Sequence, residues 1–97
     1  MVFRKGNKPP KSIHWRDAIR AIELLGGVFV RQKGDHKHYK RSTKKGTYLI
    51  TIPVYDNIEG DLLRSIIRQS GVKKKYFWMA YNGEVPTIIK TELKIQS

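Results

Sequence analysis

The chain has 97 residues, and its 20 Lys and Arg against 8 Asp and Glu give a formal net charge of +12. This length fits one small domain with a thin core, and this excess of positive charge favours a polyanionic partner, first of all nucleic acid. Cysteine is absent, which excludes disulfides and thiolate metal sites, and no apolar run reaches the ~18 residues of a membrane span, so we expect a cytoplasmic protein without a membrane partner.

The first predicted element is a helix that follows a basic arm. Residues 1–11 combine Gly, Asn and two prolines with four cations, which predicts a flexible segment. Ser12 is the expected N-cap, because its hydroxyl can accept a hydrogen bond from an early backbone N–H. Gly26 and Gly27 end the helix, since glycine adopts the left-handed cap geometry easily. The apolar positions between them have helical spacing: Trp15, Ala18, Ile19, Ile22 and Leu25.

A β-hairpin is predicted next, in the segment VFVRQKGDHKHYKR. Residues 28–33 are rich in β-branched and aromatic side chains, and residues 36–41 can pair with them across the two-residue loop Gly34-Asp35. In that register Lys33 lies opposite His36, Arg31 opposite His38 and Phe29 opposite Lys40, all on one open face of the sheet. Val28, Val30 and Tyr39 are assigned to the core face, together with the start of the Lys37 side chain.

The remaining chain predicts one more strand and two helices. Residues 47–53 form the strand, with Tyr48, Ile50 and Ile52 on one face, and it ends at Pro53. A polar connector leads to a helix with Leu62, Leu63, Ile66 and Ile67 inward, Arg64 and Arg68 outward, and Gly71 as its stop. Residues 72–83 predict a short third helix, and the periodicity of the last residues does not decide between a strand and a loose tail. This order gives an α+β fold, a three-stranded antiparallel sheet with helices on one face.

Three segments of the chain, in this order, resemble the HicA (YcfA-like) toxin family: LLGG, FVRQKGDH and IPVYDNIEGDLLRSIIRQSGV. The resemblance covers about residues 12–72, and residues 73–97 form a C-terminal extension about which it says nothing. It implies a fold like that of double-stranded-RNA-binding domains, α-β-β-β-α. It also implies a small basic endoribonuclease, an mRNA interferase, that is paired with a HicB-like antitoxin.

The same resemblance identifies His36 as the catalytic residue, because the family's histidine follows a Gly-Ser pair in the first hairpin. Two positions depart from the family pattern. Asp35 replaces the usual serine, and Tyr55 replaces a histidine found in many members two positions after the proline that ends the third strand. The Asp35 carboxylate beside the imidazole affects the charge of His36 and its contact with substrate phosphate. If the family's second histidine takes part in RNA binding or in the reaction, Tyr55 can replace it only in part.

Histidine suits metal-free RNA cleavage, since its ordinary pKa of ~6.5 allows it to accept or donate a proton near neutral pH. His38 is a second candidate on the same face, whereas His14 is expected to be structural. A metal site is not expected, because His36, His38 and Asp35 are few ligands and Asp35 suits a turn. No cofactor is predicted. The expected RNA contacts are Arg31, Lys33, Lys37, His38, Lys40, Arg64 and Arg68.

Two alternatives remain open from the sequence. In the first, the chain acts without catalysis, as a module of the same fold that binds double-stranded RNA by shape and phosphate contacts. The run Lys73-Lys74-Lys75 followed by Tyr76, Phe77 and Trp78 is either a phosphate clamp with stacking aromatics or a solvated helix edge beside core aromatics.

Overall fold

The described part of the chain, residues 8–89 of a computed structural model, forms a three-stranded sheet and three helices. The elements are β1 (Ser12–Ile13), α1 (Trp15–Leu24), β2 (Val28–Lys33), β3 (His36–Thr43), β4 (Gly46–Pro53), β5 (Ile58–Glu59), α2 (Gly60–Gln69) and α3 (Lys74–Tyr81). The sheet is antiparallel in the order β2-β3-β4, which confirms the predicted α+β class. A second, two-stranded ribbon pairs β1 with β5, and this ribbon was not predicted.

The core lies between one face of the sheet and the helices. The sheet contributes Tyr39, Ile50 and Ile52 to the hydrophobic core, and Arg41 and Pro53 are buried beside them. Helices α1 and α2 contribute buried side chains at helical spacing, and α3 packs against α1. Phe77 and Trp78 of α3 are buried, so the interpretation of these two rings as exposed stacking platforms is wrong. Because the helices pack on one face of the sheet, the opposite face is open to solvent.

The β2-β3 hairpin turns at Gly34-Asp35 as predicted. Gly34 has a φ of 60°, the positive value that a Gly-first two-residue loop needs to match the twist of its strands. Two predicted pairs are confirmed, Lys33 opposite His36 and Arg31 opposite His38. The hairpin loop therefore sets the register of the part that contains the histidines.

Beyond Arg31, the predicted register of the hairpin is wrong. A bulge between Phe29 and Arg31 leaves Val30 without a partner, so Phe29 pairs with Tyr39 and Val28 pairs with Lys40. One extra residue in a strand reverses the faces of the side chains on the side of the bulge away from the hairpin loop. Val28 therefore lies on the open face. Val28 and Val30 are both exposed, so their assignment to the core is wrong.

The start of α1 also differs from the prediction. Ser12 belongs to β1, where it pairs with Glu59, and the N-cap of α1 is His14. The Nδ1 atom of His14 accepts a hydrogen bond from the Arg16 N–H at 3.1 Å, and its Nε2 lies 3.3 Å from an Asp56 carboxylate oxygen. The His14 ring is thus held from both sides, which gives it a structural role.

His14→Ala should lower the free energy of unfolding by about 1 kcal/mol, because an orphan N–H of α1 loses its acceptor. For a domain of this size, that loss corresponds to a fall in Tm of about 4–8 °C. His14→Asn is the matched control, since an asparagine side chain can cap the helix and should recover most of the loss. Thermal unfolding of the three proteins measures this, and equal Tm values for wild type and His14→Ala would contradict the capping role.

The buried apolar face of helix α2 is narrower than predicted. Leu63, Ile66 and Ile67 are buried, but Leu62 is exposed, so its assignment to the core is wrong.

Gly71 follows α2 with a φ of 75°, and a Cβ atom there would lie 2.5 Å from the Tyr48 ring. The predicted stop at Gly71 therefore has two physical reasons, the backbone conformation and the ring packed against it.

The two ends of the chain lie partly outside the described residues. The predicted flexible arm, residues 1–11, is described only from residue 8, and Pro9, Pro10 and Lys11 line a groove beside α2 and α3. The C-terminal extension is described to residue 89, where residues 87–89 are helical and not extended. In the described range, 8–89, none of the helices has the length and apolar character that crossing a membrane requires.

Candidate active site

Alternate residues of β3 point to opposite faces of the sheet, and this alternation assembles the candidate site. Tyr39 and Arg41 are buried on the helix side, so His36, His38 and Lys40 lie on the open face. Arg31 and Lys33 lie opposite the two histidines on β2 and share their face. Burial, and secondarily the Glu23 carboxylate, raises the pKa of the Tyr39 hydroxyl.

His36 begins β3, and its ring is held by the two residues that depart from the family pattern. Its Nδ1 lies 2.8 Å from an Asp35 carboxylate oxygen, and the Tyr55 ring stands edge-on at 6.3 Å between ring centres. The Asp35 backbone is fixed in turn, because its carbonyl accepts a hydrogen bond from the Val54 N–H at 2.7 Å. In the neutral ring, Nδ1–H donates to the Asp35 carboxylate. The other nitrogen, Nε2, is then unprotonated and can accept a proton.

His36 is neither buried nor fully solvated, since its side chain is 44 % exposed. His38 lies two residues along the same face, about 7 Å away at strand spacing. The His38 Nδ1 is 3.1 Å from the Thr51 hydroxyl of β4. Two imidazoles separated in this way can contact opposite sides of one phosphate group, and the adjacent cations Arg31 and Lys33 can stabilise its negative charge.

Three predicted RNA contacts are not brought together with this group. Lys37 lies on the helix side of the sheet, where its Nζ is 5.5 Å from the centre of the Trp15 ring and 5.6 Å from that of Phe29. Arg64 and Arg68 belong to α2, in the helix layer, and Arg64 is paired with Asp61. The open face thus brings together five of the eight predicted site residues, namely Arg31, Lys33, His36, His38 and Lys40.

Two contacts of the site were not predicted from the sequence. The hydroxyl of Thr51 reaches His38 only because β4 pairs with β3, with Thr51 directly opposite. Tyr55 was singled out as a departure, but its contact with His36 depends on the turn after Pro53, where the Tyr55 N–H donates to the Pro53 carbonyl. The alternation in TYLITIP was the available signal for Thr51, since it puts this residue on the face opposite Ile50 and Ile52.

The positions of Asp35, His36 and His38 show whether these three side chains share a metal site. Within residues 8–89, no three His, Asp or Glu side chains come together closely enough to hold a metal ion. The carboxylate of Asp35 is directed at His36 and not at a point shared with His38. The donor set that the sequence offers, Asp35, His36 and His38, therefore does not form a common site in this fold.

Comparison with known protein families gives a match to this chain. The model of a family described as the HicA toxin of bacterial toxin-antitoxin matches residues 15–72, which is more than half of the chain. Neither the curated proteins nor the solved structures gave a match to the chain. The matched range contains the hairpin, its two histidines and the helix α2. The chain belongs to the HicA toxin family, and it is thus a toxin of a toxin-antitoxin system, for which an antitoxin partner is implied.

Proposed function

We propose that this toxin is a metal-independent endoribonuclease that cleaves mRNA in the cytoplasm, with His36 as its proton-transfer residue. The observation that carries the proposal is a histidine with one ring nitrogen held by a carboxylate, on an open sheet face with Arg31 and Lys33 opposite. Such a group combines a base with the cations that a phosphate needs. The family match supports the toxin role, and the cleavage reaction is the step that we add.

In the proposed reaction the 2′-hydroxyl of the RNA loses its proton to Nε2 of His36 while its oxygen bonds to the adjacent phosphorus. The bond from phosphorus to the 5′-oxygen then breaks, and that oxygen takes up a proton, which we assign to His38. Arg31 and Lys33 offset the extra negative charge that the phosphate gains between these steps. The products are a 2′,3′-cyclic phosphate and a free 5′-hydroxyl, so the protons and the bonds balance.

Incubation of the purified chain with end-labelled RNA in the presence of a chelator tests this proposal. Fragments should accumulate with the RNA and not with DNA of the same sequence, because DNA lacks the 2′-hydroxyl. A mobility shift of intact RNA without fragments would instead favour the alternative, a non-catalytic module that binds double-stranded RNA through its shape. Fragments that form only after a divalent metal is added would overturn the metal-independent mechanism.

Asp35 is proposed as a positioning residue, because its carboxylate selects the tautomer in which Nε2 of His36 is unprotonated. Asp35→Asn keeps the size of the side chain, but an amide can either donate to Nδ1 or accept from it. We expect kcat to fall by about tenfold, which is less than for a buried triad carboxylate because Asp35 is well exposed to solvent. KM should fall as well, since a negative charge near the substrate phosphate is removed.

The ¹⁵N chemical shifts of the His36 ring distinguish this positioning role from a purely structural one. In the wild type they should report a proton on Nδ1, and in Asp35→Asn a mixture of the two tautomers, with Tm unchanged. The same tautomer in both proteins, with kcat unchanged, would remove Asp35 from the mechanism.

A further inference from the structure

A cavity of about 420 Å³ lies beside the turn between β3 and β4, at the end of the sheet away from the loop Gly34-Asp35. Its walls come from this turn, from the loop between α2 and α3, from α3 itself and from the last described residues. The volume lies within the ~300–1,000 Å³ that is usual for small-molecule sites. None of the described residues of the candidate active site lines it, so the cavity is a separate place for a ligand.

The sheet itself separates this cavity from His36. Arg41 of β3 is buried on the helix side and lines the cavity, whereas His36 lies on the open face. Arg41 also follows His36 by five residues, which corresponds to ~17 Å along a strand. An RNA strand bound at His36 therefore leaves the cavity free for a second ligand.

The charged side chains that line the cavity all have the same sign. None of the described lining residues is acidic, and the cations are Arg41, Lys44, Lys45 and Lys73. Arg41 is only 3 % exposed and is held in place, since its Nε donates to the Ser70 carbonyl at 2.7 Å. A buried cation attracts an anion more strongly than an exposed one, because less water screens the attraction. The three lysines are exposed and add to this charge, so the cavity favours a ligand with several negative charges.

The uncharged part of the lining favours a ligand that also has a flat, apolar part. Tyr76 of α3 is half-buried there, and Val72, Ile88 and Ile89 line the same cavity. A tyrosine ring can stack on any nucleobase, since every base has a π-face. Lys73 and Tyr76 are thus the two members of the segment Lys73–Trp78 that combine a cation with an accessible ring.

We propose that this cavity is a binding site for a nucleoside polyphosphate. Arg41 and Lys73 attract the phosphates, and Tyr76 stacks on the base. Inorganic polyphosphate has the charge but no ring system, so it leaves the apolar part of the lining without a contact. The proposal does not depend on RNA cleavage, and each of the two is tested separately.

Titration of the ¹⁵N-labelled full chain with ATP, in the presence of a chelator and at low salt, tests this site. ATP should bind with a Kd below about 1 mM and shift the backbone amides of Gly71, Val72 and Tyr76 most. Tripolyphosphate should bind at least about fivefold more weakly, because it lacks the base that stacks. Adenosine, which lacks the phosphates, should not bind at the same concentrations.

Two results of this titration would overturn the proposal. Equal affinity for ATP and tripolyphosphate would show attraction by net charge alone. Largest shifts at residues 31–38 would place ATP at the candidate active site.

Two neighbouring lysines provide a matched pair of charge-reversal variants. Lys73 lines the cavity, whereas Lys74 lines the groove on the other side, beside α2. Both residues are exposed at the start of α3, where a carboxylate is compatible with the helix dipole, so both variants should fold. Lys73→Glu should weaken ATP binding at least about tenfold and Lys74→Glu less than about threefold, since only the first puts a carboxylate in the cavity. Equal losses for the two would overturn the proposal.

Tyr76→Phe and Tyr76→Leu test the stacking on the base. Phenylalanine keeps the ring and should bind ATP as the wild type does, whereas leucine fills space without a flat ring and should bind about fivefold more weakly. ATP should also raise the Tm of Tyr76→Phe more than that of Tyr76→Leu. If Tyr76→Leu fails to fold, the comparison of Lys73→Glu with Lys74→Glu decides. Equal ATP binding by all three folded proteins would overturn the proposal.

RNA is the competing occupant of the cavity. A ten-nucleotide RNA, added at a concentration equal to that of ATP, should leave the ATP-induced shifts of Gly71 and Val72 in place. Loss of these shifts would identify the cavity as an RNA contact and overturn the proposal. ATP binding without any RNA cleavage by the wild type would instead overturn only the proposed function.

Discussion

His36→Ala is expected to slow RNA cleavage by roughly 10²- to 10⁴-fold, which is the usual contribution of a general acid–base group. Alanine leaves no group that can take the proton of the 2′-hydroxyl. The fold should survive, because His36 is partly exposed at the end of a strand and does not belong to the core. Initial rates on labelled RNA measure this effect, and expression in bacteria should no longer arrest growth.

The other two histidines are the controls for this prediction. His38→Ala should lower the rate less than His36→Ala, because within residues 8–89 no carboxylate pairs with a ring nitrogen of His38, whose Nδ1 contacts the Thr51 hydroxyl instead. His14→Asn should leave the rate unchanged, since His14 only caps α1 and contacts Asp56. Full toxicity and full cleavage by His36→Ala would contradict the proposed mechanism.

The double variant Arg31→Ala/Lys33→Ala is expected to have the second largest effect. Both cations lie opposite the histidines, so their removal should weaken the binding of RNA and lower kcat. If each contacts one phosphate of a single strand, the slope of log K against log salt should become shallower by about 1.4, or ~0.7 for each contact. Binding measured at several salt concentrations gives this slope.

Lys44→Ala/Lys45→Ala serves as the charge-matched control. It also removes two positive charges, but at the turn between β3 and β4, away from His36. It should keep most of the salt dependence and the full kcat. An equal fall in slope for both double variants would mean that RNA binds through net charge and not at the open face of the sheet.

The part of the site next to the hairpin loop was predictable from sequence, because local rules determine it. The loop Gly34-Asp35 fixes the pairs Lys33 with His36 and Arg31 with His38, so their common face followed from strand alternation alone. The β-branched and apolar spacing of TYLITIP likewise gave the buried face of β4. The choice of His36 over His38 came from the resemblance to the HicA family and not from periodicity.

The sequence failed where tertiary contacts override local pattern. The bulge at Val30 changes the face of Val28 and Phe29, and VFVRQK contains no Gly or Pro to indicate it. Ser12 is a good N-cap by type, but pairing with Glu59 makes it part of a strand, and His14 takes its role. Lys37 was assigned to the core face at its start but was also predicted to contact RNA, yet its Nζ stays beside the rings of Trp15 and Phe29 on the helix side.

A DNA strand that contains a single ribonucleotide distinguishes metal-free RNA cleavage by His36 from every other cleavage reaction. In the presence of a chelator, the wild-type chain should cut this strand only on the 3′ side of the ribose and leave a 2′,3′-cyclic phosphate. His36→Ala should leave the strand intact over the same time. Cleavage of an all-DNA strand, or equal cleavage by His36→Ala, would contradict metal-free cleavage through the 2′-hydroxyl by His36.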